Sequence, residues 1–260
     1  MILHFLHQRS DLTILMIVVT TLTILAMLAP HIGRRVFRLP ESEDRDSASF
    51  DAYKAVMSMI GVVLAFSLVQ ANNNLRSVET TVAKEGVAIT STDRVLLRIG
   101  KPELTAFRPL LAAYGKTIVD DEWPILASGE RSQAVDDAYG VLSTKIRSIG
   151  PDDARQQSMY NELLKNLDDL SDLREEALAD SDFGLPRFFW ITICCFLALG
   201  MGLAALTTNG LSRTVGVGAT AGAVALLLAF VIIVDLPFEG ETSVSPRAIQ
   251  NALVANAHRT

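Results

Sequence analysis

The chain has 260 residues, of which 50% are hydrophobic and only 20% are charged, and its net charge is −6. A soluble domain usually carries about 25% charged residues, so this composition points to a protein partly dissolved in lipid. Abundant apolar residues exclude a disordered chain, and the only cysteines, the adjacent Cys194 and Cys195, exclude a disulfide scaffold. Residues 72–187 hold 14 Lys and Arg against 20 Asp and Glu, whereas the remainder of the chain is balanced. The sequence therefore predicts an acidic insert in an otherwise neutral, lipid-like chain.

Four charge-free segments are long enough to cross a bilayer, which takes about 20 apolar residues. They are residues 12–29, 55–71, 188–208 and 214–234. A cleaved signal peptide is the alternative for the first segment, although its apolar run is longer than that of most signal peptides. A buried helix of a soluble domain is the alternative for the second segment, which is the shortest. We expect all four to be transmembrane helices.

Arginines are concentrated in the loop between the first two spans, at Arg34, Arg35, Arg38 and Arg45. Cytoplasmic loops carry an excess of Lys and Arg, so this loop is expected to be cytoplasmic. Both termini and the acidic insert would then lie on the opposite side. We expect a multi-pass protein of the inner membrane whose helical domain is periplasmic or extracellular.

The acidic insert is predicted to be helical. Apolar residues recur at helical spacing after the second span, and no proline occurs between Pro40 and Pro102, so this span is expected to continue as one long helix. Further helices are predicted over residues 103–115, with a break near Pro109, and over residues 131–149. Another helix follows, with Pro151 in its first turn.

The predicted fold class is an all-α membrane protein with four transmembrane helices and an extramembrane helical bundle between the second and third. The expected domains are residues 1–71 with the first two spans, 72–187 with the acidic helices, 188–234 with the last two spans, and 235–260 with a C-terminal helix. In that last segment, Ser245 is the predicted N-cap and Pro246 the first helical residue.

Catalytic and metal-binding motifs are missing from the sequence. It has no Walker loop, no G-x-S-x-G elbow and no zinc signature, and its four histidines have no Cys or carboxylate at metal spacing. No span contains the acidic, basic or histidine side chain that an intramembrane enzyme would need. We expect no enzymatic activity, no metal and no cofactor.

Small residues in the last two spans predict close helix packing, at Gly200, Gly218 and Gly222. The resemblance of Gly216-x-Gly218 to a dinucleotide loop is superficial, because these residues lie within an apolar span. The contact could form within one subunit or between subunits.

Amide side chains follow the second span directly. We predict that an ion pathway is lined by residues near the end of this span and just after it, namely Phe66, Gln70, Asn73 and Asn74. An oligomer would arrange such residues as rings that coordinate or filter ions. The alternative is an interfacial amide cluster that hydrogen-bonds lipid headgroups.

The C-terminal segment DLPFEGETSVSPRAI, residues 235–249, resembles the D-x-P-F-x-G…V-S-P ending of the bestrophin-like domain family. Residues 61–66, GVVLAF, resemble its second-span pattern, and the Leu185-Pro186…Trp190 segment resembles the start of its third span. Residues 114–124 resemble its Y…E-W-P element. The resemblance therefore marks a set of motif residues that we expect to be structural: Tyr114, Glu122, Trp123, Pro124, Asp235, Pro237, Phe238, Gly240, Ser245 and Pro246.

The resemblance implies a four-span membrane protein and suggests kinship with anion channels. We expect a homo-oligomeric ion channel whose second span lines the pore, with lipid, further copies of the chain and inorganic ions as partners and no nucleic acid. The acidic insert favours cations while the family name favours anions, so the ion remains open. The alternative is a non-conducting sensor or scaffold whose helical domain binds a ligand or a protein.

Overall fold

The computed structural model describes residues 10–37, 43–181, 184–207, 210–235, 237–238 and 240–259. In these residues it contains ten α-helices, one π-helical turn and no β-strand. The helices are α1 Asp11–Phe37, α2 Glu43–Arg98, α3 Pro102–Thr105, α4 Arg108–Thr117, α5 Trp123–Leu126, α6 Gln133–Arg147, α7 Ala154–Ser181, α8 Arg187–Ala205, α9 Leu211–Val234 and α10 Arg247–Ala257, and the π-helical turn Ile118–Glu122 joins α4 to α5. Arg38 of the predicted cytoplasmic loop and Thr208 of the predicted third span lie outside the described residues.

Among the described residues, four helices are long and apolar enough to cross a membrane, which agrees with the four predicted spans. These segments are Asp11–Gly33, Asp46–Arg98, Arg187–Ala205 and Leu211–Val234. Helix α8, the third predicted span, ends at Ala205, earlier than predicted. Its α-helical hydrogen bonding stops there, and Thr207 instead donates its N–H to the carbonyl three residues earlier, that of Ala204, at 3.1 Å.

The long second helix is confirmed. Helix α2 runs without a break for 56 residues and passes through Gly86. At about 1.5 Å per residue it is roughly 84 Å long, nearly three times the hydrocarbon thickness of a bilayer. Most of α2 therefore extends beyond the charge-free segment 55–71.

The chain forms two compact units, of which the first comprises residues 1–73 and 184–243. Helix α9 is the most buried of its apolar helices: 56% of the residues in its most apolar stretch are buried, against 17% for α1 and for α8. The Tyr53 hydroxyl donates to the carbonyl of Val217 at 2.8 Å, which ties α2 to α9. The buried apolar side chains of α9 contribute to the packing of this unit.

The second unit comprises residues 74–183 and 244–260. Its core consists of apolar side chains from α2, α4, α6, α7 and α10, among them Val78, Ile89, Leu111, Leu142, Leu163, Leu167 and Ile249. The predicted break near Pro109 is confirmed: α3 ends at Thr105 and α4 begins at Arg108, which leaves the proline in the first turn of α4.

Two predicted helix starts lie too early, the first by a few residues and the second by a single residue. Pro151 precedes α7, which begins at Ala154, because Asp153 accepts the N–H of Gln156 at 2.7 Å and so caps the helix later in the chain. Helix α10 begins at Arg247, with Pro246 as its N-cap residue and no side-chain capping hydrogen bond.

Candidate functional site

One face of α2 exposes a row of apolar side chains that leads to amides. Met59, Val62, Phe66 and Val69 are 58%, 57%, 70% and 59% exposed in the single chain. Their spacing of three and four residues places them on one side of a helix. The exposed Asn73 continues the row. We call these five residues the α2 stripe.

The other amide residues lie beside the α2 stripe. Gln70 is exposed, whereas Asn74 is half-buried. The structure thus places Phe66, Gln70 and Asn73 on the accessible side of α2 and turns Asn74 partly into the fold. The opposite side of the helix is packed, as the complete burial of Ile60 and Leu64 shows.

Two residues of the Y…E-W-P element lie in a buried polar cluster in the second unit. Glu122 and Arg174 form a bidentate ion pair with distances of 2.7 Å and 3.1 Å, and their side chains are only 3% and 7% exposed. Arg174 also donates to Asp136 at 2.5 Å and to the carbonyl of Ser132 at 3.3 Å. Burial favours the neutral form of Arg174, but the hydrogen bonds to Glu122 and Asp136 outweigh it and raise the arginine pKa.

Two further members of this cluster lack a complete set of partners. Glu85 is 2% exposed and Tyr114 is fully buried, yet Oε1 of Glu85 and the hydroxyl of Tyr114 have no hydrogen-bond partner. Burial, and then repulsion from Glu122, raises the pKa of Glu85 to about 8, against the attraction of Arg174. Burial and the nearby Glu85 also raise the pKa of Tyr114. We call Glu85, Tyr114, Glu122, Arg174 and Asp136 the buried polar cluster.

A second ion-pair network ties α10 to the rest of its unit. Asp93 is 2% exposed and accepts from Arg108 Nε at 2.6 Å and from Arg259 at 3.5 Å. Arg108 also donates to the carbonyls of Asn256 and Arg259, both at 2.8 Å. The Asn256 carbonyl lies in the last turn of α10, where a cation compensates the helix dipole, and Arg259 follows just beyond the helix. The network therefore anchors the C-terminal helix.

Asp235 joins two motifs that are far apart in sequence. It is 4% exposed and accepts the backbone N–H of Leu185 at 2.7 Å, just before α8 begins. The side chain also lies 3.5 Å from the position that a Cβ on Gly184 would occupy. Asp235 thus connects the end of α9 with the start of α8.

The remaining motif residues begin helices, allow a turn or pack in the fold. Trp123 and Pro124 begin α5, and Pro237 is buried while Phe238 is half-buried. Gly240 has φ +84°, a conformation that glycine adopts without strain. Ser245 is exposed and Pro246 half-buried.

The three predicted packing glycines all lie against neighbouring helices of the first unit. A Cβ on Gly218 would overlap the Met27 side chain, one on Gly222 would lie 3.2 Å from Thr23, and one on Gly200 would lie 3.1 Å from Met57. Gly33 was not predicted, although a Cβ there would overlap the backbone of Ala205. These contacts occur within a single subunit.

Sequence reasoning missed Glu85, Arg174 and Asp93, although the sequence contains a signal for the first two. Glu85 follows Val82 by three residues and precedes Ile89 by four, so it occupies an apolar position of its helix. Arg174 follows Leu170 by four residues in the same way. A charged residue in phase with an apolar stripe is expected to be buried and paired.

The described residues define a class of protein: a helical membrane protein with four helices long and apolar enough to cross a bilayer, of which α2 extends far beyond its apolar segment. The sequence matches the bestrophin-like domain family over residues 14–249, and the chain belongs to that family.

Two solved structures show the same fold. A bacterial bestrophin homologue from Klebsiella pneumoniae, solved as a single-residue mutant, is 12% identical, with a TM-score of 0.62, and the match covers 95% of this chain and 99% of that one. A second structure, described as that of a membrane protein with a single substitution, is 14% identical, with a TM-score of 0.56 and coverage of 95% and 96%. No curated protein matches the sequence.

Proposed function

We propose that this chain forms a homo-oligomeric ion channel in which α2 lines the ion pathway. The α2 stripe is the observation that supports the proposal. It combines 70% exposure of Phe66 with an amide at Asn73 on the same side of the helix. Copies of α2 around an axis would form an apolar constriction followed by polar rings, an arrangement that both gates and selects ions.

Other helices also expose apolar residues, for which lipid is the simplest neighbour. Ile191 on α8 is 64% exposed, close to the value for Phe66. The α2 stripe differs because its helix continues well past the apolar segment and carries amides where that segment ends. Ile191 therefore provides a matched control for a lipid-facing position.

The proposed orientation places the loop between the first two spans in the cytoplasm and the acidic second unit outside, in the periplasm of a Gram-negative cell. That unit holds 20 acidic and 15 basic residues. Its negative surplus attracts cations, whereas the family name suggests anions. The reversal potential in a salt gradient would decide between them.

Conductance and subunit number test the proposal together. Purified protein in planar bilayers should give discrete current steps, and native mass spectrometry from nanodiscs should show a closed ring of at least four copies. Phe66→Ala should change the unitary current, while Ile191→Ala should leave it unchanged. Silent bilayers across voltage, pH and calcium concentration, together with a monomer or dimer, would refute the channel.

A non-conducting sensor is the second candidate, and a groove in the second unit favours it. The groove has a volume of about 560 Å³ and combines apolar with charged residues, including Lys84, Val87, Asn166, Asp172 and Leu173. This combination suits a small ligand that carries polar groups. A monomer or dimer that binds such a ligand would support this function instead.

A further inference from the structure

Glu85 lies well past the charge-free segment of α2, residues 55–71, which is long enough to cross a bilayer. At about 1.5 Å per residue it is roughly 21 Å beyond Ala71, where the charge-free segment ends. It packs within the second unit, where it is 2% exposed. Its burial therefore comes from protein and not from lipid.

The buried polar cluster has more acids than its single buried cation can balance. Arg174 already serves two carboxylates, Glu122 and Asp136. Ionised Glu85 would be the third, leaving two negative charges uncompensated within the cluster. Arg131 lies 3.7 Å from Asp136 but is 46% exposed and also pairs with Glu175. A proton on Glu85 removes one of these two charges, and the partly exposed Arg131 offsets part of the other.

The groups around Glu85 come from several elements. Tyr114 comes from α4, Glu122 from the π-helical turn and Arg174 from α7. Helix α10 contributes uncharged residues beside it: Ala248 contacts the next residue in the chain, Gly86, and Leu253 contacts Gly115, which follows Tyr114. Oε1 of Glu85 and the Tyr114 hydroxyl are buried without hydrogen-bond partners. The site therefore contains two polar atoms whose hydrogen bonds are not formed by its present contacts.

A proton accounts for this arrangement better than a metal ion does. In the described part of the chain, no group of three or more His, Cys, Asp and Glu side chains is placed to hold a metal. Arg174 also donates directly into the cluster and would repel a cation. A neutral carboxylic acid, in contrast, lowers the negative charge of the cluster without any further ligand.

We propose that Glu85 is a proton-binding site of the second unit, occupied at neutral pH, and that release of this proton to solvent loosens the packing of α2 against α4 and α10. The carboxylic acid becomes a carboxylate, and the only other product is the released proton. The new charge lies in the same cluster as Glu122 and beside the close contacts of Gly86 and Gly115. The unit therefore responds to alkaline pH through a single residue.

The test uses the full chain in nanodiscs and does not require a current. The chain has two tryptophans, so the Trp190→Phe variant leaves Trp123, which adjoins Glu122, as the fluorescent reporter. Its emission should shift with a midpoint near pH 8. Glu85→Gln should abolish this transition, whereas Glu79→Gln, which changes an exposed acid on the same helix, should preserve it.

Infrared difference spectra identify the proton directly. At about pH 6 the wild type should show a protonated-carboxyl band that Glu85→Gln lacks, and the band should disappear by about pH 9.5. Absence of this difference at the lower pH would overturn the proposal, because Glu85 would already be ionised. An unchanged fluorescence transition in Glu85→Gln would overturn it as well. Neither result depends on whether the protein conducts ions.

Discussion

Removing the buried cation of the second unit should destabilise it strongly. Arg174→Met deletes all four hydrogen bonds of the guanidinium group and leaves the Glu122 carboxylate without its cation at 3% side-chain exposure, with only the Ser132 N–H still donating to it. Breaking a buried pair from one side costs about 3–5 kcal/mol. For a protein of this size, each kcal/mol lowers the melting temperature by about 2–4 °C, so we expect a fall of roughly 10 °C.

An exposed pair in the same unit provides the control. Arg131 and Glu175 are 2.6 Å apart, but their side chains are 46% and 57% exposed, so Arg131→Met should cost about 1 kcal/mol or less. Thermal melts of the full chain, followed by circular dichroism, would compare the two variants. Adding Glu122→Gln to Arg174→Met should recover part of the loss, since it removes the buried charge. Equal melting temperatures for the two arginine variants, or no recovery in the double variant, would refute the reasoning.

Three further substitutions test separate parts of the account. The pKa of Glu85 in the folded protein, about 8, exceeds the ordinary value of 4.5. The free energy of unfolding of the wild type should therefore fall as pH rises between these two values, by a few kcal/mol in total. Denaturant melts of Glu85→Gln should lack this decline. Asp235→Ala should cost about 1–3 kcal/mol by leaving a buried N–H unsatisfied, whereas the exposed Glu241→Ala should have no measurable effect on the melting temperature. Gly218→Leu should prevent the close approach of α1 and reduce the yield of monodisperse protein in size-exclusion chromatography, while Gly202→Leu, with open space around its Cβ position, should not.

The apolar elements could be predicted from sequence because hydrophobicity and helical period are local properties. The four spans follow from charge-free length, and the continuous α2 follows from the absence of proline. The break before Pro109 is equally local. The start of α7 was harder to place, since the competing capping contact of Asp153 with Gln156 overrides the preference of proline for a first turn.

The polar clusters could be predicted only in part. The family motif marked Tyr114 and Glu122 as structural residues. It did not reveal that both lie in the same buried cluster as Arg174. That cation comes from a helix 52 residues further along the chain, and no local pattern specifies which acid it pairs with. Asp235 shows the same limit: the family motif marked it as structural, but its contact with Leu185 depends on the tertiary fold.

Thiol accessibility along α2 tests the central claim most directly. In a background without Cys194 and Cys195, Phe66→Cys would be exposed to a charged, membrane-impermeant thiol reagent during single-channel recording, with Ile191→Cys as the lipid-facing control. We predict that the reagent reduces or abolishes the unitary current of Phe66→Cys and leaves the current of Ile191→Cys unchanged. A channel whose Phe66→Cys current is insensitive to the reagent, even though mass spectrometry shows the thiol to be modified, would contradict a pathway lined by α2.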